Sequence, residues 1–240
     1  MDEKLKYIAK VLDSGIGAAE TVTILKSIGV LGVEEQDIKS FRLWGDYLPK
    51  GYEVPYTNEQ RYLHILWECL DRSPWGINIP FAIPFRAMIA KKLFAKCGDG
   101  FVANEGCRFN YGHLISVGDN VSWNHGCYVD AKGGVTFGDF SIMTEYVKIF
   151  THGHSEGDHE VRSYAGVEIG DYAKIYTAAT ILSGVKIGKG AIVATGAIVT
   201  KDVEDYTVAA GIPAKPLRDR RYKNPDEFNQ YMFSNAEFQK

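Results

Sequence analysis

Residues 167–203 read VEIGDYAKIYTAATILSGVKIGKGAIVATGAIVTKDV, and a small aliphatic residue returns at every sixth position. The members of this series are Val167, Ala173, Ala179, Val185, Ala191, Ala197 and Val203. A period of six matches neither the helical repeat of about 3.6 residues nor the plain alternation of an isolated strand. The pattern therefore predicts a solenoid, in which each six-residue unit supplies one short strand and one corner.

Four tetrapeptides that end in glycine set the length of one coil. They are ISVG at 115–118, VTFG at 135–138, VEIG at 167–170 and VKIG at 185–188. Three six-residue units make eighteen residues, which is the step from Val167 to Val185. The step from Ile115 to Val135 is twenty residues, and the step from Val135 to Val167 is thirty-two. The first of these steps thus contains a two-residue insertion, and the second a fourteen-residue insertion.

The same period predicts where the solenoid begins and how it is built. Eighteen residues before Ile115 lies Cys97, which would put Gly100 in the glycine position. We therefore predict a mainly β fold, a parallel β-helix of about five coils over 97–205, followed by a C-terminal tail over 206–240. Small side chains would stack inside a narrow prism, and glycine or a small polar residue would turn each corner, where φ can be positive.

The first 96 residues follow a different pattern, which indicates a helical and irregular N-terminal region. Two sets of apolar residues fall at helical spacing, with Asn58 as an N-cap ahead of the second set. The sets are Leu5, Ile8, Val11 and Leu12, then Tyr62, Ile65, Leu66 and Leu70. This region predicts no chemistry of its own.

Composition excludes several classes of function. The net charge is −3 with six neutral histidines, so no nucleic-acid partner is expected. No run approaches the roughly 18 apolar residues of a membrane helix, and the start MDEKLKYIAK lacks the apolar core of a signal peptide. The four cysteines form no CxxC pair, which disfavours a zinc knuckle. We expect a cytoplasmic protein with reduced thiols and no membrane insertion.

The long insertion, at 153–166, is the place where chemistry is expected. A solenoid that breaks a strict repeat usually does so to form a binding face. The segment THGHSEGDHEVR at 151–162 brings three histidines to this break. Because imidazole titrates near neutral pH, a histidine here can remove the proton of an attacking hydroxyl group.

The repeats and the chain's ending together resemble the hexapeptide-repeat acyltransferases. The ending consists of GAIVTKD at 196–202 and AAGIPAK at 209–215, and the resemblance covers 97 to about 220. The sugar and polysaccharide O-acetyltransferases are the most similar subgroup. The resemblance implies a left-handed parallel β-helix, a homotrimer, and direct transfer of an acetyl group from acetyl-CoA to a sugar or saccharide hydroxyl, with no metal.

The resemblance also implies roles for particular residues. His154 takes the place of the catalytic base, and His152, two residues earlier, competes for that role. Asn124 and Asp130 match positions that bind the acceptor sugar. Six further positions match those that contact coenzyme A along the groove between subunits. They are Thr177, Thr195, Thr200, Lys201, Lys215 and Arg218.

One departure and three alternatives stay open. Many relatives carry Trp-Ile-Gly where this chain has Lys174-Ile-Tyr176, which leaves the acceptor's identity open. One alternative is a metalloenzyme like the γ-class carbonic anhydrases, with ligands drawn from His154, His159 and either His125 or His113. A second is N-acetylation of an amino sugar. A third is a non-catalytic scaffold whose N-terminal half binds a partner.

Overall fold

The computed structural model describes residues 3–221. Within them the chain forms two compact units, and the boundary in the sequence falls between Leu93 and Phe94. The first unit is helical, and the second is a parallel-stranded solenoid that ends in an antiparallel hairpin. The predicted tail over 206–240 is described only as far as residue 221, and the rest of it lies outside the described residues.

Six α-helices and two 3₁₀ turns build the first unit. The helices are α1 (Glu3–Asp13), α2 (Ala18–Ser27), α3 (Glu35–Ser40), α4 (Pro49–Glu53), α5 (Asn58–Leu70) and α6 (Ile79–Leu93), and the turns are Trp44–Tyr47 and Pro74–Ile77. None of the helices in the described part of the chain is long and apolar enough to cross a membrane.

The start of α5 corrects one sequence prediction. Thr57, not Asn58, is the N-cap, because the Thr57 hydroxyl accepts a hydrogen bond from the Gln60 backbone N–H at 3.1 Å. The Gln60 side chain returns a bond to the Thr57 N–H at 3.0 Å, which completes a capping box. Deeper in this unit, Arg86 is fully buried in α6 and pairs with Asp71, so the buried cation is compensated.

Three parallel sheets form the walls of the solenoid. Sheet A contains β1 (Lys96–Cys97), β4 (Ile115–Val117), β7 (Val135–Phe137), β12 (Val167–Ile169) and β15 (Lys186–Ile187). Sheet B contains β2 (Val102–Ala103), β5 (Ser122–Trp123), β8 (Ile142–Met143), β13 (Lys174–Ile175), β16 (Ile192–Val193), β18 (Thr207–Gly211) and β19 (Ala214–Asp219). Sheet C contains β3 (Arg108–Asn110), β6 (Tyr128–Asp130), β9 (Lys148–Ile149), β14 (Thr180–Ile181) and β17 (Ile198–Val199).

The strand register confirms the parallel β-helix and moves the first coil by two residues. Five complete coils are followed by the start of a sixth, where β18 pairs with β16. Cys97 pairs with Val117, so the first step is twenty residues long and Gly98, rather than Gly100, takes the glycine position. The two additional residues are accommodated by a 3₁₀ turn at Gly112–Leu114. The left-handed winding stays a prediction.

The interior of the prism confirms the six-residue series. All seven of its members are buried, and five of them are at most 1% exposed. Aromatic side chains add to the interior of the first coils, where Trp123 contacts Phe94, Phe101 and Phe137 with ring centroids 5.2–5.7 Å apart. The small residues continue there at Val121, Cys127, Ser141 and Val147, which are all buried, and ring packing closes the N-terminal end of the prism.

The repeated glycine has a different reason from the one expected. Gly118 and Gly138 have ordinary φ, but a Cβ on either would overlap a carboxylate of the next coil. In the space above Gly118, the Asp139 carboxylate accepts the Asp119 backbone N–H at 2.8 Å. Left-handed backbone occurs two residues after the glycine, where aromatic residues such as Phe140 (φ 57°) take places predicted for small ones.

The C-terminal hairpin carries one buried cation. β19 pairs antiparallel with β18 beyond a cis peptide between Ile212 and Pro213. Just after β19, the buried Arg220 guanidinium donates to the backbone carbonyls of Tyr172 (3.0 Å) and Gly190 (2.8 Å). The basic end of the described chain thus fastens the hairpin to the corner of two coils.

Candidate active site

The fourteen-residue insertion folds as a small antiparallel hairpin at the corner between sheets C and A. Its strands are β10 (His152–His154) and β11 (Arg162–Tyr164), with His152 opposite Tyr164 and His154 opposite Arg162. This hairpin leaves the solenoid directly after β9, so His152 stays against the preceding coil while the tip reaches solvent. The insertion therefore places one histidine beside the wall and two farther out.

His152 contacts the carboxylate of Asp130, which ends the equivalent strand of the preceding coil. Asp130 is 1% exposed, and the His152 side chain is 23% exposed. The His152 Nδ1 lies against Asp130 Oδ2, while Asn110 Nδ2 donates to Asp130 Oδ1 at 2.7 Å. Because a carboxylate only accepts hydrogen bonds, Nδ1 carries the proton. Nε2 is then the acceptor atom of the ring, and Lys132 Nζ lies 3.4 Å from it.

Lys132 brings a cation to the same pair. Its Nζ lies 3.3 Å from Asp130 Oδ1, and 3.3 Å and 3.4 Å from the Nδ1 and Nε2 atoms of His152. The residue is only 9% exposed, although lysine is rarely buried without a partner. Its partner here is the Asp130 carboxylate.

Thr151 fixes the backbone from which His152 extends. Its buried hydroxyl donates to the Asp130 carbonyl at 2.7 Å and accepts from the Gly133 N–H at 2.8 Å. Both bonds cross to the preceding coil, one on each side of Lys132. Buried hydroxyl groups are nearly always hydrogen-bonded. The two bonds of Thr151 therefore hold the neighbouring coils and their side chains in one arrangement.

Among the described residues, no carboxylate lies against the ring of His154, the predicted base. Its side chain is exposed and stacks on His159, with ring centroids 3.9 Å apart and planes within 1°. Its Nδ1 lies 2.9 Å from the His159 backbone carbonyl, and its ring centroid is 5.4 Å from that of His152. Within residues 3–221, a buried acid thus contacts the ring of His152 and none contacts the ring of His154.

The two predicted acceptor contacts stand on different corners. Asp130 lies beside His152, whereas Asn124 follows β5 at the corner between sheets B and C. The Asn124 amide donates to Glu145 Oε1 at 2.7 Å and accepts from Asn104 Nδ2 at 2.9 Å. Asn124 is thus one step in a polar ladder that runs along its corner, and a single chain does not bring it to Asp130.

The predicted coenzyme A contacts divide in the same way. Thr177 and Thr195 follow strands of sheet B, on the corner of Asn124, and the Thr177 hydroxyl donates to Glu145 Oε2 at 3.0 Å. Thr200 and Lys201 follow β17, on the corner of His152. The last two, Lys215 and Arg218, are exposed on β19.

Lys174 lies on the outer face of sheet B, apart from the sheet that leads to His152. Its strand neighbours are Ile142 and Ile192, so the lysine interrupts an apolar stripe. Burial lowers the pKa of Lys174, and the nearby charge of Arg220 lowers it further. Within one chain, the residue that stands where relatives carry tryptophan does not line the His152 site.

The thiols of Cys107 and Cys127 are poor candidates for a nucleophile. Cys107 and Cys127 are buried, and the pKa of Cys127 is raised by its hydrogen bond with Cys107 and by burial. A thiol of this kind is a poor nucleophile. Across residues 3–221, no group of three or more His, Cys, Asp or Glu side chains is arranged to hold a metal ion.

Fold and site together define an acyltransferase built on a parallel β-helix. No protein-family model matches the chain. Galactoside O-acetyltransferase of Escherichia coli is 30% identical over 145 residues, which cover 58% of this chain and 71% of that enzyme. The chain belongs to the hexapeptide-repeat acetyltransferase family, and it is an acetyltransferase.

Solved structures show the same fold. A maltose O-acetyltransferase from Clostridium difficile superposes with a TM-score of 0.61 at 25% identity, covering 68% of this chain and 87% of that one. Galactoside acetyltransferase in complex with coenzyme A gives a TM-score of 0.57 at 24% identity, covering 71% and 90%. These alignments leave about a third of the present chain without a counterpart.

Proposed function

We propose that this protein transfers the acetyl group of acetyl-CoA to a hydroxyl group of a sugar or saccharide, with His152 as the general base. The contact between His152 and the buried Asp130 is the observation that carries this proposal. The galactoside and maltose acetyltransferases among its relatives support a saccharide acceptor. We place the reaction in the cytoplasm, where the reduced thiols expected from the sequence would persist.

The proposed reaction proceeds in one complex of enzyme, acetyl-CoA and acceptor. His152 Nε2 takes the proton of the acceptor hydroxyl while its oxygen attacks the thioester carbonyl. The tetrahedral intermediate then collapses, the carbon–sulfur bond breaks, and the imidazolium returns the proton to the coenzyme A thiolate. Asp130 stabilises the imidazolium in between and holds the ring in the correct tautomer. No acyl-enzyme forms.

His154 stays the competing candidate for the base, and the two histidines are separable by mutation. We propose that Asp130 orients His152 rather than touching the sugar, because its carboxylate is 1% exposed. Turnover of His152→Ala and His154→Ala with acetyl-CoA and a panel of saccharides tests the assignment. Near-normal turnover in His152→Ala would remove His152 from the role.

We propose a homotrimer, which the division of the predicted contacts between two corners supports. His152 and Thr200 lie on one corner of the prism, and Asn124 and Thr177 on another. We propose that acetyl-CoA lies between two chains, so that one chain supplies the base and its neighbour supplies Asn124 and the Thr177 backbone N–H for the oxyanion. Light scattering of the purified protein tests this, and an active monomer would contradict it.

The acceptor panel should contain sugars, lipid-linked saccharides and amino sugars. Release of coenzyme A, followed by mass spectrometry of the product, separates O-acetylation from N-acetylation. Longer acyl-CoA donors test whether the transferred group is limited to acetyl. Measurement of the metal content of the same preparation tests the carbonic anhydrase alternative, for which stoichiometric zinc, iron or cobalt is expected.

A further inference from the structure

We propose that Lys132 is a positioning residue that balances the charge of Asp130, so that His152 rests in its uncharged form and can accept a proton. This inference rests on the proposed role of His152 as base. It concerns a residue that would touch neither acetyl-CoA nor the acceptor, because its ammonium group lies against Asp130 and the imidazole.

A buried carboxylate beside an imidazole would by itself favour the imidazolium ion. An imidazolium has already bound its proton, so it cannot begin the transfer as a base. In this protein the Asp130 Oδ1 atom has an ammonium ion 3.3 Å away, as well as the Asn110 amide at 2.7 Å. Asp130 can therefore stay ionised without a second positive charge on the ring.

The position of the Lys132 ammonium also favours the uncharged form of the His152 ring. It lies 3.3 Å and 3.4 Å from the two nitrogens of His152, where a charged imidazolium would be repelled. A positive charge at this distance from an imidazole favours the uncharged form of the imidazole. Compensation of Asp130 and repulsion of imidazolium thus both favour neutral imidazole.

The other groups that face His152 carry less weight. From its own strand, His154 presents a ring 5.4 Å away. From β11, Tyr164 stands opposite His152, and Arg162 opposite His154. Of the charged side chains in the described residues, Lys132 and Asp130 are the two with polar contacts to the His152 ring.

The repeat explains how a lysine reaches this place. Lys132 precedes His152 by 20 residues, and Asn110 precedes Asp130 by 20. Because 20 residues is one coil here, each pair occupies equivalent positions in neighbouring coils. The preceding coil therefore places the Lys132 ammonium beside the His152 ring.

The test compares Lys132→Met, which removes the charge, with Lys132→Arg, which keeps it. For Lys132→Met we expect the acidic limb of the pH–rate profile to move up by about one pH unit, so that turnover on that limb falls by up to about 10-fold. Activity should recover as the pH rises toward 9. Lys132→Arg should keep the limb within a few tenths of a unit of the wild type, and Lys148→Met, at an exposed lysine, is the matched control.

A second readout does not depend on turnover. NMR titration of ¹³C-labelled histidine, with the His152 signal assigned by its loss in His152→Gln, should show the imidazolium of Lys132→Met persisting to higher pH. An unshifted titration and an unmoved limb would overturn the proposal, even if turnover fell uniformly. If Lys132→Met does not fold, Lys132→Gln takes its place under the same criteria. The titration also distinguishes this failure from an error in the proposed base, which His152→Ala turnover reports.

Discussion

The imidazole of His152 and the carboxylate of Asp130 meet across two neighbouring coils, 22 residues apart in the sequence. One partner is buried in the wall of the solenoid, and the other faces a half-exposed site. A rigid parallel ladder sets the relative height of the two residues, since β6 and β9 pair directly before them. Catalytic geometry is most precise on such elements.

Removal of the His152 ring should abolish most of the turnover. General base catalysis contributes about 10²–10⁴-fold, so we expect kcat of His152→Ala to fall by that factor while KM for acetyl-CoA changes little. A coenzyme A release assay measures both constants. His154→Ala is the matched control, because its ring is exposed and stacks on His159. Equal losses in the two variants would contradict the assignment.

Neutralisation of Asp130 should show whether this residue orients His152 or binds the acceptor sugar. In Asp130→Asn the side chain keeps its size, but it no longer offers a charge to the imidazolium, so we expect kcat to fall by about 10²–10⁴-fold. Thermal unfolding checks that the coil survives. Asp139→Asn is a suitable control, because the carboxylate of Asp139 caps a backbone N–H at an exposed corner. A change confined to KM of the acceptor would instead indicate that Asp130 binds the sugar.

The fold was predictable because the prism leaves a narrow space inside each coil. Every sixth residue must be small there. This requirement is visible in the sequence as the six-residue series that begins with Val167 and Ala173. The aromatic residues of the first coils escaped prediction, because the series specifies the small position and not the buried position two residues later, where Trp123 and Phe137 lie.

The site was only partly predictable. The sequence places three histidines in the break, but it does not indicate which ring contacts a buried acid. The coil period does contain a missed signal, because twenty residues before His152 stands Lys132, and twenty before Asp130 stands Asn110. Counting back by one coil from each candidate would have placed the four side chains together. Only the register shows which of them touch.

The repeated glycine gives a prediction about stability. In Gly118→Ala the added methyl group would overlap the Asp139 carboxylate, and such overpacking costs about 1–3 kcal/mol. Denaturant unfolding measures this loss. The double variant Gly118→Ala/Asp139→Ala removes the overlap, so its loss should be smaller than the sum of the two single losses. Additive losses would show that space above Gly118 is not the reason for glycine.

Replacement of Lys174 should stabilise the protein, and the gain should depend on pH. Burial and then Arg220 lower the pKa of Lys174 below its unfolded value of 10.5, so the folded state binds this proton less tightly than the unfolded chain. Below the folded pKa both states are protonated, and the cost of burying the charge is present in full. As the pH rises through the folded pKa toward 10.5, the folded state releases its proton first and that cost disappears.

Lys174→Met should therefore raise the free energy of unfolding at pH 7, by less than about 1 kcal/mol because the side chain is partly solvated. The advantage should shrink steadily as the pH approaches 10.5. A methionine would also continue the apolar stripe between Ile142 and Ile192. Urea unfolding at several pH values measures the difference, with Lys148→Met as the exposed control. A gain that stays constant with pH would attribute the effect to packing alone, without a contribution from the buried charge.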